Sequence, residues 1–383
     1  MKISTTCFMG ALMTIGTFTM AQPMVAPLSS PCPAAPIKST IDWPQFGFTP
    51  CHTGYNPYEL VLDPTTVVNL TLHWQYQTGD YVASAPAVLN GVVYVASWDG
   101  SVHALDANTG VQRWHFQTGG VCSSPAVANG MVYVGSGDGN VYALNANTGA
   151  LLWKYVSGGF IFASVTLADG VLYVGSYTSE VAISASTGAF LWRYTTGNFI
   201  NPSAAVSNGV VYVGSNDANL YALDAGTGAL LWKYTTGALV GSSPAVVNGI
   251  VYVGSDDKNL YALNASTGAL VWKYTAGDVV ESSPAVANGV VYFGAYDGFY
   301  ALNAGTGVLL WRFGHGSVST LPAVANGVVY FGSGDDFIYA LNASTGALLW
   351  RYHAGFVVQS SAAVSNGMLY IGSSDRRLYA FGL

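Results

Sequence analysis

The sequence predicts an all-β protein, an eight-bladed β-propeller built from four-stranded antiparallel blades. Two observations predict this fold: a tryptophan recurs every 39 or 40 residues, and each repeat reads as four short strands separated by tight turns. A fixed repeat of about this length is typical of propeller blades, because one blade must stack on its neighbours to bury both faces. The recurring tryptophans are Trp74, Trp114, Trp153, Trp192, Trp232, Trp272, Trp311 and Trp350.

The repeat from Ser242 to Trp272 shows the four strands most clearly. Ser-Ser-Pro-Ala-Val is the predicted first strand, Asn248-Gly249 the turn, and Ile-Val-Tyr-Val-Gly-Ser the second strand. Asn-Gly between apolar runs favours a tight hairpin, since both central residues of a type I′ turn need positive φ. Leu-Tyr-Ala-Leu and Ala-Leu-Val-Trp-Lys-Tyr supply the third and fourth strands. No segment has a helical apolar period long enough to predict a helix.

The two ends of the chain carry complementary parts of one blade. Eight Asn-Gly or Asp-Gly turns follow the first strands, but only seven Thr-Gly turns precede a tryptophan strand. The last repeat stops at Leu383 without a fourth strand, whereas residues 70–76 are a fourth strand that lacks the other three. We therefore expect residues 70–76 to complete the last blade, so that residues 63–383 form one closed propeller.

The run Ala104-Leu-Asp-Ala-Asn-Thr-Gly-Val-Gln-Arg-Trp114 and its six copies resemble the tryptophan-docking motif of the pyrroloquinoline-quinone-type propellers. The resemblance covers residues from about 63 to 383. It implies that each tryptophan packs flat between adjacent blades. That family includes quinoprotein dehydrogenases and also a non-catalytic scaffold of the outer-membrane barrel assembly machinery, so the resemblance specifies the fold and leaves two functions open.

The N-terminal residues predict export. Residues 1–21 contain one Lys, an apolar run from Cys7 to Met20, and Ala21, which is the pattern of a secretory signal; an uncleaved anchor is the alternative. We expect an extracytoplasmic protein (secreted, periplasmic or cell-surface) with no membrane-spanning segment after cleavage. Residues 22–40 are rich in Pro, Ala and Ser and predict a flexible linker. Residues 41–62 are aromatic and are expected to pack on the propeller.

The cysteines suggest one disulfide, and the net charge argues against one class of partner. Cys32 and Cys51 flank the linker and are candidates for a disulfide in an oxidising compartment. Cys122 lies in a first strand and is interpreted as a small buried residue; a reactive thiol would need a neighbouring base that the sequence does not show. The net charge is -7 without any cluster of Lys and Arg, which argues against nucleic-acid binding.

The strand order sorts the connections onto two faces of the ring. One face carries the Asn-Gly and Thr-Gly turns, which hardly differ among repeats. The other carries the turns between second and third strands and the links between blades, which vary and therefore form the candidate binding face. Seven of these eight turns contain an Asp, and blade 3 has Thr178 instead. Capping of the turn explains these aspartates better than a metal site, because they would be spread around the ring.

Two columns of residues on the variable face supply the candidate site. Trp98, Tyr177 and Tyr296 are the expected aromatic anchors for a partner, since exposed aromatic residues on a rigid rim are typical interface hot spots. The other binding candidates are Asn201, Asn216, Asp256, Glu281 and Gln359. The starts of the first strands should ring one mouth of the channel: Ala83, Cys122, Phe162, Asn201, Gly241, Glu281, Ser319 and Gln359.

The first functional hypothesis is an exported, non-enzymatic binding or scaffold protein with a protein or cell-envelope partner and no cofactor. The resemblance implies an alternative, a pyrroloquinoline quinone (PQQ) and Ca²⁺-dependent alcohol or sugar dehydrogenase, with Glu281 and Asn201 as metal ligands. These two residues belong to non-adjacent blades, and we assign no catalytic residue. A cell-surface repeat protein without a small ligand is the third possibility.

Overall fold

The computed structural model describes residues 42–120, 123–314 and 316–383, and it confirms the all-β propeller. The sheets form eight blades, numbered 1–8 in chain order, whose short first strands lie innermost and contact one another around the axis. Seven blades are formed by consecutive strands, and the eighth combines both ends of the chain. A short strand at Tyr55–Asn56 and a single 3-10 turn at Val67–Asn69 lie outside the blades.

The strand bounds of blades 1–4 repeat closely. Blade 1 comprises Ala87–Leu89, Val92–Ala96, Ser101–Asp106 and Gln112–Gln117; blade 2 comprises Ala126–Ala128, Met131–Gly135, Asn140–Asn145 and Leu151–Val156; blade 3 comprises Thr166–Ala168, Val171–Ser176, Ser179–Ser184 and Phe190–Thr195; blade 4 comprises Ala205–Ser207, Val210–Ser215, Asn219–Asp224 and Leu230–Thr235.

Blades 5–8 continue this pattern. Blade 5 comprises Ala245–Val247, Ile250–Gly254, Asn259–Asn264 and Leu270–Thr275; blade 6 comprises Ala285–Ala287, Val290–Ala295, Gly298–Asn303 and Leu309–Phe313; blade 7 comprises Ala323–Ala325, Val328–Gly332, Phe337–Asn342 and Leu348–His353; blade 8 comprises Ala363–Ser365, Met368–Ser373, Arg377–Gly382 and, as its outer strand, Thr71–Gln77.

The first strands are shorter than the sequence predicts. In blade 5 the strand begins at Ala245, after the predicted residues Ser242, Ser243 and Pro244. Proline has no N–H to give to a sheet, so pairing begins after it. The serines bond instead between blades: the Ser243 N–H donates to the Ser283 hydroxyl at 3.0 Å.

The ring closes as the residue count predicts. Thr71–Gln77 pairs antiparallel with Arg377–Gly382, and Trp74 lies opposite Ala380. Each tryptophan then docks on the next blade: the Trp232 indole N–H donates to the Ala265 carbonyl at 3.0 Å. Trp350 makes the corresponding bond to the Leu70 carbonyl at 3.0 Å, which joins blade 7 to the N-terminal strand. The indole rings therefore hold every blade to its neighbour.

The Thr-Gly turns receive these indoles because glycine leaves room for them. Gly268 has φ +71°, and a Cβ added there would lie 2.7 Å from the Trp232 ring. An L-residue at this position would be strained by its φ and would also push the indole away. The equivalent glycines of the other Thr-Gly turns meet the preceding tryptophan in the same way: Gly110, Gly149, Gly188, Gly228, Gly307 and Gly346.

Residues 42–56, here called the N-terminal segment, run around the inside of the ring. The segment bonds a backbone N–H or C=O of the innermost strand of every blade in turn, which satisfies edges that would otherwise face the channel. Tyr55–Asn56 even forms a parallel strand beside Ala323–Ala325. The strand residues bonded by the segment are Val88, Val127, Leu167, Val206, Val246, Val286, Val324 and Val364.

Buried polar side chains fix this segment in place. His52 is fully buried, and its Nε2 lies 3.1 Å from the Thr166 hydroxyl of blade 3. Burial lowers the pKa of His52 to about 4, so the imidazole is neutral at pH 7. Cys51 is buried and disulfide-bonded. Its predicted partner, Cys32, lies outside the described residues, as do Cys122, the predicted signal and the predicted linker.

Candidate functional site

The two faces of the ring differ in how strictly their turns repeat. On the turn face, the Asn-Gly hairpins adopt positive φ at both residues, as in Asn248 (52°) and Gly249 (76°). Asp169-Gly170 does the same in blade 3, with 48° and 78°. The opposite, variable face carries the turns between second and third strands and the links that enter the first strands. These two sets of connections bond to one another, so each blade presents them as one unit.

The aspartates of the variable face cap their own turns. Asp257 accepts hydrogen bonds from the Asn259 N–H at 3.0 Å, the Gly237 N–H at 2.7 Å and the Tyr261 hydroxyl at 2.5 Å. Burial opposes ionisation of this carboxyl, but the hydrogen bonds prevail and lower its pKa. Six of the seven turn aspartates accept the N–H two residues further on: Asp99, Asp138, Asp217, Asp257, Asp335 and Asp375.

Asp297 is the exception, and it still has a structural role. Its carboxylate accepts the Tyr300 hydroxyl at 2.6 Å and pairs with the Arg312 guanidinium at 2.8 Å. Among the residues that the structure describes, no group of three or more His, Cys, Asp or Glu side chains could hold a metal ion. Turn capping thus describes six of the seven aspartates, and Asp297 instead holds Tyr300 and Arg312.

Exposed aromatic residues lie on the variable face, including those that the sequence singles out. Trp98, Tyr177 and Tyr296 are each about half exposed. The links contribute aromatic residues that the sequence reasoning missed, because it considered the starts of the first strands and not the residues before them: Tyr81, Phe160, Phe199 and Phe356. Trp98 contacts Tyr81, with ring centroids 6.2 Å apart. Link and turn therefore pair their aromatic residues in blade 1.

An aromatic cavity of about 280 Å³ opens between blades 3 and 4 on this face. The Tyr177 and Phe199 rings meet edge to face at 4.8 Å, and Phe160 and Phe162 lie 6.2 Å apart. The backbone holds these rings rigidly, since the Tyr177 N–H donates to the Phe160 carbonyl at 3.0 Å and the Tyr177 carbonyl accepts the Ile200 N–H at 2.7 Å. The lining residues are Phe160, Phe162, Tyr177, Phe199, Ile200 and Asn201.

A buried glutamate lies behind this cavity. Glu180 pairs with Gly175 across blade 3, and a Cβ on Gly175 would lie 2.6 Å from Ile200, one of the cavity residues. Glu180 is completely buried, and neither carboxylate oxygen has a hydrogen-bond partner in the described chain. Desolvation raises its pKa to about 8. The equivalent residue of blade 5, judged by its pairing with a second-strand glycine, is the apolar Leu260.

The mouth of the channel forms a small polar funnel beside this cavity. Its volume is about 180 Å³, its lower part is lined by serines, and Phe46 of the N-terminal segment contributes to it. The predicted mouth residues that line it are Ala83, Phe162, Asn201, Gly241, Ser319 and Gln359. Asn201 therefore borders both the funnel and the aromatic cavity.

Glu281 does not line the funnel. Its carboxylate accepts a short hydrogen bond from the Tyr296 hydroxyl of the same blade. Burial and the nearby charges of Glu281 and Asp257 raise the pKa of Asp256. The structure thus brings together Glu281, Tyr296 and Asp256 of blades 5 and 6. Asn216 lies apart, in blade 4, where its N–H donates to the Phe199 carbonyl at 2.8 Å.

Acidic side chains outnumber basic ones on the variable face. The basic residues of its described turns and links are Lys258, Arg376 and Arg377. Lys258 pairs with Asp278 at 3.3 Å, and Arg377 pairs with Asp375 at 3.4 Å. Besides the turn aspartates, the acidic residues are Asp80, Asp256, Asp278, Glu281 and Asp336. This face therefore presents a negative potential to solution.

The residues present do not fit PQQ with Ca²⁺. The quinone carries carboxylates, yet in the described part of the chain no Lys or Arg lines the funnel to bind them. Asn201 borders the funnel, whereas Glu281 turns to Tyr296, so these two proposed ligands do not share that cavity. We derive no catalytic step through this cofactor.

Comparisons with known proteins agree on the architecture. The family model described as outer membrane protein assembly factor BamB matches residues 71–159, 156–243, 217–316 and 299–382. No curated protein sequence matches significantly. No described helix is long and apolar enough to cross a membrane.

The fold is similar to solved structures of two functional kinds. BamB from Moraxella catarrhalis aligns with a TM-score of 0.71 and 20% identity, covering 82% of this chain and 100% of that chain. Quinohemoprotein alcohol dehydrogenase from Comamonas testosteroni aligns with a TM-score of 0.76 and 17% identity, covering 89% of this chain and 80% of that chain. A europium-containing methanol dehydrogenase aligns with a TM-score of 0.76 and 15% identity, covering 90% of this chain and 99% of that chain. At these identities the likeness shows the fold alone.

Proposed function

Because this chain belongs to the family described as outer membrane protein assembly factor BamB, we propose that it is an exported, non-enzymatic scaffold. It binds a protein of the outer-membrane assembly machinery through its variable face. The single observation that carries this proposal is the concentration of half-exposed aromatic residues on that face, on a backbone that the repeat holds rigid. Rigid aromatic anchors lose little conformational entropy when they bind.

The hydrogen bonds of the two faces also support the variable face as the binding surface. On the turn face, the side chains of the Thr-Gly turns are occupied in their own hydrogen bonds: Asn264 accepts the N–H groups of Ser266 and Thr267, both at 3.0 Å. On the variable face, the rings of Trp98, Tyr177 and Tyr296 are about half exposed. A partner can bury these rings without breaking the hydrogen bonds that hold the blades.

The experiment uses the full chain in its native host, with a photo-crosslinking amino acid at Trp98, Tyr177 or Tyr296. The matched control places it at Leu231, which is exposed on an outer strand away from the variable face. We expect crosslinks to a component of the outer-membrane assembly machinery from the three variable-face positions and not from Leu231. Crosslinks from Leu231 alone, or none to that machinery, would refute the proposal.

A dye-reduction assay tests the enzyme alternative directly. Purified protein is mixed with PQQ and Ca²⁺, and dye reduction is followed with short alcohols and glucose. We expect no turnover above that of the free quinone. Turnover that is lost in Glu281→Gln would instead establish a dehydrogenase and overturn the scaffold proposal.

A further inference from the structure

We propose that the aromatic cavity between blades 3 and 4 is a cage for an arginine side chain of the protein partner. The proposal rests on the proposed function only in taking a polypeptide as the ligand of the variable face. It adds the chemistry of recognition: a guanidinium group enters the cavity and packs on the faces of its aromatic rings.

The shape and lining of the cavity suit a planar cation. Four rings surround it, those of Phe160, Phe162, Tyr177 and Phe199, and each is roughly half exposed in the free protein. Guanidinium groups stack on aromatic faces and are held by the negative charge of the ring quadrupole. Asn201 adds the one amide of the lining, whose carbonyl oxygen can accept a guanidinium N–H.

The charge around the cavity selects a cation over a neutral apolar anchor. Among the residues that the structure describes, no Lys or Arg lines the cavity. Asp217, which follows Asn216 in the blade 4 turn, accepts the Gly197 N–H at 2.7 Å and the Tyr221 hydroxyl at 2.6 Å, so a capped carboxylate lies in the turn next to the cavity. The blade 2 turn supplies Asp138, whereas the blade 3 turn has Thr178 in place of the aspartate. An isobutyl or phenyl side chain would gain nothing from these charges, whereas an arginine gains favourable potential throughout its approach.

Glu180 distinguishes this cavity from the corresponding position in every other blade. Glu180 is the third-strand residue that pairs with Gly175 of the second strand. In the other seven blades the third-strand residue paired with the equivalent position is apolar: Val102, Val141, Leu220, Leu260, Phe299, Ile338 and Leu378. Only blade 3 places a carboxyl there, and blade 3 supplies three of the four rings of the cage. A bound cation would favour the ionised form of this otherwise unpartnered group.

The neighbouring blade leaves the cage open to an extended chain. In blade 2 the positions equivalent to Phe160 and Tyr177 are Gly120 and Gly137, which bond through the Gly137 N–H and Gly120 carbonyl at 2.6 Å. Neither glycine has a side chain that could cover the rings. At these two described positions, blade 2 therefore presents only backbone beside the cavity.

The test measures binding of fluorescein-labelled ten-residue peptides to the full chain by fluorescence anisotropy. One peptide repeats Gly-Ser-Arg; two matched peptides replace every Arg by citrulline, which has the same shape without the charge, or by Leu. We expect the arginine peptide to bind at least tenfold more tightly than either matched peptide. Phe199→Ala should weaken arginine binding at least tenfold, while Phe356→Ala, an equally exposed ring elsewhere on this face, should leave it within twofold.

Several outcomes would overturn the inference. The leucine peptide binding as tightly as the arginine peptide would show an apolar pocket. Arginine binding that ignores Phe199→Ala but is lost in Glu281→Gln would show general attraction to the acidic sector of blades 5 and 6. Circular dichroism and the melting temperature establish that each variant is folded; if Phe199→Ala fails to fold, Tyr177→Ala replaces it.

The inference and the proposed function fail separately. If Trp98 crosslinks to an assembly component but the protein shows no preference for the arginine peptide, the scaffold proposal stands and the arginine cage is refuted. Arginine binding that depends on Phe199, in a protein that crosslinks to no assembly component, would keep the cage and remove the assigned partner.

Discussion

Blades 3 and 5 have the same four strands in the same register, yet their ends on the variable face differ in chemistry. Blade 5 follows the repeat: Asp257 caps a four-residue turn, and Leu260 fills the core between blades 5 and 6. Blade 3 has one residue fewer between its paired second- and third-strand residues (Gly175 and Glu180, against Gly254 and Leu260). It places Tyr177 at φ +54° and buries Glu180 in place of the leucine. The comparison teaches that the repeat dictates the backbone, while departures from it mark the surface available for function.

The largest expected effect comes from removing the buried carboxyl. The folded-state pKa of Glu180 is raised from 4.5 to about 8. Below pH 4.5 the Glu180 carboxyl is protonated in both the folded and the unfolded protein, so its ionisation does not change the free energy of folding. As the pH rises from 4.5 to 8, only the unfolded state ionises, so folding loses up to roughly 5 kcal/mol.

Glu180→Leu should therefore raise the free energy of unfolding by several kcal/mol at pH 8.5 and by much less at pH 4.5. Urea titrations at the two pH values measure this difference. The reciprocal Leu260→Glu in blade 5 should introduce the same loss of stability with rising pH. An equal gain for Glu180→Leu at both pH values would contradict the burial of an unpaired carboxyl.

The Thr-Gly turn should be equally sensitive in both blades. Gly268→Ala and Gly188→Ala each place a methyl group against an indole, at a residue with φ +71°. We expect each to cost about 2–4 kcal/mol, from backbone strain and overpacking together. Gly249→Ala and Gly170→Ala have similar φ but open space around them, and should cost only about 1 kcal/mol. Thermal unfolding of the four variants would compare them, and equal losses would contradict the docking role of the glycine.

An aspartate in the turn between second and third strands should stabilise blade 5 and not blade 3. Asp257→Ala leaves the Gly237 and Asn259 N–H groups and the Tyr261 hydroxyl without their acceptor, at a cost of about 1–3 kcal/mol. Thr178→Asp should restore nothing, because its turn is shorter. Urea midpoints measure both. A gain in stability for Thr178→Asp comparable to the Asp257→Ala loss would show that the two turns are equivalent after all.

The smallest stability effect is expected where the proposed function lies. Tyr177→Ala removes an exposed ring, so the free energy of unfolding should change by less than about 0.5 kcal/mol. Binding of the arginine peptide should nevertheless fall at least tenfold. A folded Tyr177→Ala protein that binds the peptide unchanged would separate the aromatic cage from recognition.

The sequence predicts the blades better than the cavity because the two depend on different information. Asn-Gly turns, alternating apolar residues and the recurring tryptophan are local signals. The incomplete repeats at the two ends predict that residues 70–76 complete the last blade, and the structure pairs residues 71–77 with 377–382. Tyr177 belongs to one predicted column, the turns between second and third strands, and Phe162 and Asn201 belong to the other, the starts of the first strands. Their meeting with Phe160 and Phe199 requires the stacking of blades 3 and 4, which no local pattern encodes.

The buried glutamate illustrates the same limit. Read along the chain, Ser-Glu-Val-Ala-Ile-Ser places Glu180 in a third strand like any other polar residue near a turn. Only the shorter turn of blade 3, which shifts the alignment of its third strand with that of blade 5 by one residue, reveals that this carboxyl takes the position of a core leucine. A gap in the repeat alignment at Thr178 is the sequence signal that could have found it.

A loop exchange between the two blades tests the central claim most directly. In the chimera, residues 158–162 and 176–180 of blade 3 are replaced by residues 237–241 and 255–260 of blade 5, and the affinity for the arginine peptide is measured on the full chain. The account predicts a protein that folds with unchanged or greater stability and loses peptide binding at least tenfold. A folded chimera that binds as tightly as the original would contradict the claim that the departures of blade 3 from the repeat form the recognition surface.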